Sequence, residues 1–201
     1  MNKTLIIGNR GRMGRRYSAI LEHLGQDSTD IDIGETATLS DYSHVIVCTP
    51  TPTHFEFTIK AVMENVPHIL CEKPVCGDSA KAKRVACLRT KSDIRVVCNW
   101  AFVEENTILQ PRSHDVEYSN WMTGNDGQEW DCCQLYYLAR SRPTIKRGPV
   151  FRASINGLPV TLTDIDRSYV DMLNHWYKAP QALWGLTDAI AMEQIVERVM
   201  S

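Results

Sequence analysis

The sequence predicts an α/β protein: an N-terminal doubly wound parallel sheet, followed by a small α+β domain that contains a short antiparallel sheet. Three observations lead there. Short β-branched runs alternate with longer segments of helical period through the first hundred residues; a glycine-rich loop directly follows the first run; and the chain turns polar and irregular after Trp100.

Each element has its own signal. Thr4 to Ile7 reads as the first strand, Met13 to Leu24 as a helix, Thr29 to Ile33 as a weaker strand, and Val45 to Cys48 as the clearest buried strand. Thr53 to Asn65 is helical in period, His68 to Cys71 returns as a strand, Ser79 to Thr90 is a charged amphipathic helix, and Ile94 to Cys98 is a further strand. Beyond Trp100, loops are marked by Pro111, Gly124, Asn125, Asp126 and Gly127. A boundary near residue 100 is expected, with domains over residues 1–100 and 101–201. In the second domain Val150 to Ile155 and Leu158 to Leu162 flank Asn156-Gly157, a dipeptide whose tolerance of positive φ makes it a strong hairpin signal. Asp164 is the expected cap of a helix carrying Tyr169, Met172, Leu173 and Trp176, and a last helix ends near Met200.

Composition excludes several classes of function. The 201 residues carry 22 Lys+Arg against 24 Asp+Glu, a formal charge of -2, with 43% hydrophobic and 23% charged residues. That balance excludes a disordered chain, a collagen-like fibre and a polyanion-binding tail. No run approaches the roughly 18 to 20 apolar residues that cross a bilayer, and Met1 to Leu5 leads straight into a strand, so no membrane partner and a cytoplasmic location are expected. The seven cysteines (Cys48, Cys71, Cys76, Cys87, Cys98, Cys132 and Cys133) mostly sit in apolar runs and lack zinc-site spacing, so they read as reduced thiols with no metal.

The chemistry-bearing motif of the first domain is Gly8-Asn9-Arg10-Gly11-Arg12-Met13-Gly14, between a strand and a helix. Such a loop lets the backbone approach a pyrophosphate, whose charge is then held by free amides and the positive end of the helix. This is a variant of the dinucleotide fingerprint, and the sheet is accordingly of Rossmann type. Asp32, at the end of the second strand, is placed to accept hydrogen bonds from an adenosine ribose and favours NAD; Asp30 takes its place if the register slips by two. Arg10, Arg12, Arg15 and Arg16 crowd the same loop and suit the extra phosphate of NADP, so NAD against NADP stays open.

A longer motif runs from Val45-Ile46-Val47-Cys48-Thr49-Pro50-Thr51-Pro52-Thr53-His54 to His68-Ile69-Leu70-Cys71-Glu72-Lys73-Pro74. Over about residues 3 to 98 the chain resembles the glucose-fructose oxidoreductase and inositol dehydrogenase (Gfo/Idh/MocA) family, in which one strand ends T-P-x-x-x-H and a later one E-K-P. The resemblance implies a cofactor site that includes Thr49, Pro50, His54, Glu72, Lys73 and Pro74, with Lys73 beside the nicotinamide and orienting substrate. Independently of it, both segments follow the carboxyl ends of parallel strands, where open α/β sheets bind ligands.

The second half departs from that family. Its members have a larger open sheet and a D-x-G-x-H-x-x-D helix that supplies an aspartate and a histidine; here Asp131 matches the aspartate, but Leu135 stands at the histidine position. Gln134 offers hydrogen bonds but no acid or base near neutral pH. Asp131 is therefore the second catalytic candidate beside Lys73, and Trp100, Trp130 and Gln134 are the substrate-side candidates. The expected function is hydride transfer between NAD or NADP and a sugar, cyclitol or related small polyhydroxylated molecule. The alternative is a non-catalytic dinucleotide-binding sensor or interaction module. A homodimer or higher homo-oligomer is expected because a short sheet leaves an apolar face to cover, with Trp121 and Phe151 as candidates for it. Nucleic acid is excluded as a partner by the slightly negative charge.

Overall fold

The computed structural model describes residues 3–88, 90–105, 107–120, 132–148 and 150–200. The chain forms two compact units, Met1–Val97 with Leu183–Ile190, and Cys98–Ala182 with Ala191–Ser201.

The first unit is built on five parallel strands: β1 (Lys3–Ile7), β2 (Asp27–Ile31), β3 (His44–Val47), β4 (His68–Cys71) and β5 (Asp93–Val96), in the order β2-β1-β3-β4-β5. Burial explains the order. β1, β3 and β4 are almost wholly apolar and buried, as strands covered on both faces must be, and they take the centre. β2, with sequence DSTDI, lacks an apolar face and serves as an edge. At the other edge, Val96 N–H donates to Trp184 O (2.9 Å) and Arg95 bridges to Gly185, which ties residues 183–190 to β5. The crossovers are α1 (Arg12–His23), α2 (Thr51–Met63) and α3 (Ser79–Ala86). α1 buries Gly14, Tyr17, Ile20 and Leu21, while α3 is capped by Asp78, whose side chain accepts from Ala80 N and Lys81 N. The strand order reverses direction between β1 and β3, the switch point at which open α/β sheets bind ligands.

At the opposite ends of these strands His44 and His68 are register partners, with ring centroids 4.6 Å apart. Burial, and next the charge of His68, lowers the pKa of His44 from 6.5 to about 4. The unfolded chain therefore binds a proton that the folded chain refuses between those values. Stability is complete above pH 6.5 and falls as the pH drops towards 4, by about 2 kcal/mol once screening is allowed for. Urea unfolding at pH 7 and pH 4.5 is expected to show this loss in the wild type and to lack it in His44→Leu; equal losses in both proteins would remove His44 as the cause.

The second unit carries a four-stranded sheet in the order β7-β6-β8-β9, from β6 (Val116–Asn120), β7 (Thr144–Arg147), β8 (Arg152–Ile155) and β9 (Leu158–Val160). The α/β class is as the sequence predicts, but this sheet is mixed and not purely antiparallel, because β7 runs parallel to β6. Their connection carries α4 (Cys133–Leu138) and is long enough for the crossover that a parallel pair needs. The β8–β9 hairpin turns at Asn156 and Gly157, with φ of 53° and 79°. α5 (Leu162–Lys178) is capped by Thr161, not by Asp164, which sits three residues on and closes a capping box by accepting from Thr161 N at 2.8 Å. Backbone and side-chain hydrogen bonds from Thr161 hold the Asp164 carboxyl below its ordinary pKa. Trp176 and Met172 of α5 are fully buried, and Met172 Sδ accepts from Cys98 N (3.3 Å). The last helix, α6, spans Leu186–Met200.

None of the seven cysteines, all of them described, is in a disulfide. Among the described residues no cluster of three or more His, Cys, Asp or Glu side chains is arranged to hold a metal, and no helix is long and apolar enough to cross a membrane.

Candidate functional site

The glycine loop leaves β1 at Gly8 and is pinned to the end of β2, since Gly8 N and Asn9 N both donate to Ile31 O, at 2.9 and 3.3 Å. Gly8 has φ +106°, and a Cβ there would meet Cys48 C and Thr49 N at 2.8 Å. Gly14 is tighter still: a Cβ would overlap Gly8 O and lie 2.5 Å from Asn9 Cα. Both positions are thus closed to every other residue, for different reasons. Gly11 is the N-cap of α1 and gives no side-chain cap, and no acid stands in the first turn. The helix therefore presents unsatisfied amides and its positive end at the loop. Asn9 Oδ1 is buried without a partner. A backbone cradle that a Cβ would fill, uncapped amides and an orphaned amide oxygen together fit the pyrophosphate of a dinucleotide.

Beside the loop, Asp32 follows the last residue of β2 and Glu35 lies three residues on. Arg10 is held between them, with Nη2 donating to Glu35 Oε1 at 2.6 Å and Nε 3.5 Å from Asp32 Oδ2. Glu35 Oε2 accepts from Asp32 N (2.8 Å), and Asp32 Oδ1 from Ile33 N (2.7 Å). One guanidinium among two carboxylates leaves this corner with a net negative charge. Asp30 lies within β2 and accepts from Ser18 Oγ of α1 at 3.2 Å, while Arg12 and Arg15 are exposed on the helix. Met13 is half-buried in the first turn of α1.

The segments after β3 and β4 are joined by His54. Its ring is 2% exposed, with Nε2 2.6 Å from Thr49 O and Nδ1 2.7 Å from Pro74 O. Carbonyl oxygens only accept, so a ring nitrogen that carries a proton donates to the carbonyl it faces. The T-P turn is further closed by Thr53 Oγ1, 2.8 Å from both Thr49 Oγ1 and Pro50 O. Glu72, 5% exposed, accepts from Tyr17 O–H at 2.6 Å and from Lys73 N at 3.1 Å. The turn that carries Lys73 and Pro74 is thereby moored to α1, the same helix whose start forms the glycine loop. Cys48 lies beneath the loop and is no nucleophile: burial first, then the charges of Glu72, Asp30 and Asp32, pushes its thiol pKa far up.

In the second unit, Gln134 is fully buried, accepting from Trp100 N (3.1 Å) and donating to Asn99 Oδ1 (3.0 Å), and Asn99 Nδ2 donates to Ser168 Oγ (3.2 Å). Trp100 meets Tyr118 edge-on at 5.8 Å, and Leu135 is 1% exposed. Asp131, Trp130 and Trp121 lie outside the described residues. Tyr17 and Glu35 belong to this geometry although no sequence motif marks them. Tyr17 sits at an ordinary core position of α1, and only the spacing of Glu35 from Asp32 offered a clue.

Residues 28–99 match the model of an oxidoreductase family with an NAD-binding Rossmann fold, GFO_IDH_MocA. No curated protein matches the sequence. Among solved structures, the chain is similar to the WlbA (WbpB) dehydrogenase from Thermus thermophilus in complex with NAD and UDP-GlcNAcA, with TM-score 0.67 and 12% identity over 100% of this chain and 95% of that one. It is similar also to the UDP-N-acetylglucosamine 3-dehydrogenase GnnA from Acidithiobacillus ferrooxidans, with TM-score 0.69 and 12% identity over 98% and 96% of the two chains. An oxidoreductase from Thermotoga maritima aligns with TM-score 0.65 and 13% identity over 98% and 94%. At such identities the likeness is one of fold. The segment from β2 to β5 is thus similar in sequence to the GFO_IDH_MocA oxidoreductase family with its NAD-binding Rossmann fold, and the chain shares the fold of these dehydrogenases.

Proposed function

We propose that the protein is a dehydrogenase that moves hydride between NAD and a sugar, cyclitol or related polyhydroxylated molecule. The observation that carries this reading is the mooring of three ligand-facing turns to one another, through His54 between Thr49 and Pro74 and through Tyr17 on Glu72. Such a frame holds Lys73 in one place at the carboxyl edge of the sheet. When bound, the dinucleotide supplies the hydride chemistry. Gly8, Asn9, Gly11 and Gly14 cradle its pyrophosphate, Arg12 and Met13 flank it, Asp32 takes the ribose, and Thr49, Pro50 and Pro74 form the wall. Lys73 donates to the substrate oxygen at which charge develops, and Asp131 orients the substrate or relays its proton. Trp100, Trp130 and Gln134 shape the substrate side, Gln134 acting through its bonds to Asn99 and Trp100.

The corner formed by Arg10, Asp32 and Glu35 favours NAD, because two carboxylates accept from ribose hydroxyls and repel a phosphate there. Supporting the sugar-like substrate are the two similar dehydrogenases, named for or crystallised with UDP-sugars. Assembly of two or more copies, with Trp121 and Phe151 as the candidates for the contact, belongs to the same reading. A second reading, a dinucleotide sensor without turnover, is favoured by buried Leu135 at the position of the family's histidine.

Calorimetric titration with NAD, NADH, NADP and NADPH tests the cofactor, and a sugar and polyol turnover screen follows. The NAD pair is expected to bind about tenfold or more tightly than the NADP pair, as a misplaced charge of roughly 1.4 kcal/mol would give. Absence of binding by all four overturns both readings; binding without turnover on any substrate leaves the sensor.

A further inference from the structure

A strongly basic cleft lies in the second unit, built from residues that the dinucleotide site does not use. It has a volume of about 540 Å³ and is lined by Arg112, Arg140, Arg142 and Arg198, with Tyr136 and Ile195 among its less polar parts. No carboxylate lines it among the described residues. In a chain of net charge -2, four guanidinium groups around one concavity are a marked local excess.

The backbone frame beneath the cleft is fastened. Arg112 N donates to Tyr137 O (2.9 Å), Ser113 N to Leu138 O (3.1 Å) and Arg140 N to His114 O (2.8 Å), which zips residues 112–114 to the end of α4. Arg112 is held at φ 55°, a left-handed conformation that non-glycine residues seldom adopt and that needs such a frame to persist. Arg140 is steadied by Ser113 O (2.9 Å to Nη2) and by Asp115 (3.4 Å from Nε). Guanidinium groups stay charged throughout the physiological range and present forked donors that match phosphate oxygens in pairs.

We propose that this cleft binds a small organic phosphate carrying two or more negative charges. Its volume lies within the roughly 300–1,000 Å³ of small-molecule sites. A nucleic acid would instead need an extended basic stripe, on a chain that is not net acidic. Tyr136 and Ile195 give the organic part of the ligand something to rest on, while the arginines take the phosphates.

The test is calorimetric titration of the full chain with fructose 1,6-bisphosphate, a probe without an adenosine, in the wild type and in Arg142→Ala/Arg198→Ala. Both replaced side chains are exposed, so the variant is expected to fold, and circular dichroism checks that it does. Saturable binding of one molecule per chain is expected in the wild type, with the dissociation constant raised about tenfold or more in the variant, as loss of charge-assisted hydrogen bonds gives. NADH affinity should stay within about twofold of the wild type, since the variant leaves the glycine loop intact. Three results overturn the proposal: no saturable binding by the wild type, equal affinity in the variant, or binding that survives in the variant and is displaced by NADH, which would put the anion on the glycine loop.

Discussion

Gly14→Ala is expected to abolish dinucleotide binding and to lower stability by about 3 kcal/mol, whereas Gly11→Ala stays within about 1 kcal/mol of the wild type. The sign is informative because propensity argues the other way. Gly14 is inside α1, where alanine would by itself stabilise the helix by about 1 kcal/mol. The added methyl, however, has nowhere to go: Gly8 O and Asn9 Cα already occupy its place, and neither is the movable end of a side chain. The helix start must separate from the loop, taking the free amides out of position for a pyrophosphate. At Gly11 the nearest atom to a Cβ is Gly8 O at 3.3 Å and φ is -71°, so a shift of a few tenths of an ångström accommodates the methyl. Urea unfolding and calorimetry on both variants give the comparison. Equal losses at the two positions, or a stabilised Gly14→Ala, would show that the close approach of loop and helix is not what the glycines are for.

The same contrast between local and distant causes explains what the sequence made legible. β1, β3 and β4 were readable because strands buried on both faces must be apolar throughout, and their bounds shift by no more than a residue. β2 was expected at Thr29 to Ile33 and lies at Asp27–Ile31, because an exposed edge strand of sequence DSTDI has no apolar alternation to fix its register. The Asn156-Gly157 turn was legible from two adjacent residues. The parallel partner of β6 was not, since Thr144–Arg147 reads as a polar connector until the crossover brings it alongside. Helix capping misled by three residues, for Thr161 and Asp164 bond reciprocally and either alone resembles a cap. In the candidate site, the motif residues stood out in the sequence, but the ties that hold them did not. Tyr17 reaches Glu72 across 55 positions, and no local pattern encodes that meeting. The roles of Asp131 and Trp130 rest on the sequence alone, because both fall outside the described residues.

Lys73→Ala is expected to reduce turnover by about 10²- to 10⁴-fold, the range for loss of a positioned proton donor, with dinucleotide affinity changed by no more than a few-fold. The reason lies in which atoms the substitution leaves alone. Lys73 is held through its backbone N–H on Glu72, and alanine keeps that donor. Tyr17 still grips Glu72, and His54 still spans Thr49 O and Pro74 O, so the turn and the cofactor wall persist. What is removed is the side chain beyond Cβ, and with it the ammonium proposed to stabilise charge on the substrate oxygen. Steady-state kinetics on the substrate found in the polyol screen, paired with calorimetry, separates the outcomes. A fall in kcat with an unchanged dinucleotide dissociation constant locates the ammonium in the chemical step. Parallel loss of binding and turnover would make Lys73 a structural part of the cofactor wall, and unchanged kcat would remove it from the mechanism, leaving Asp131 to supply the proton.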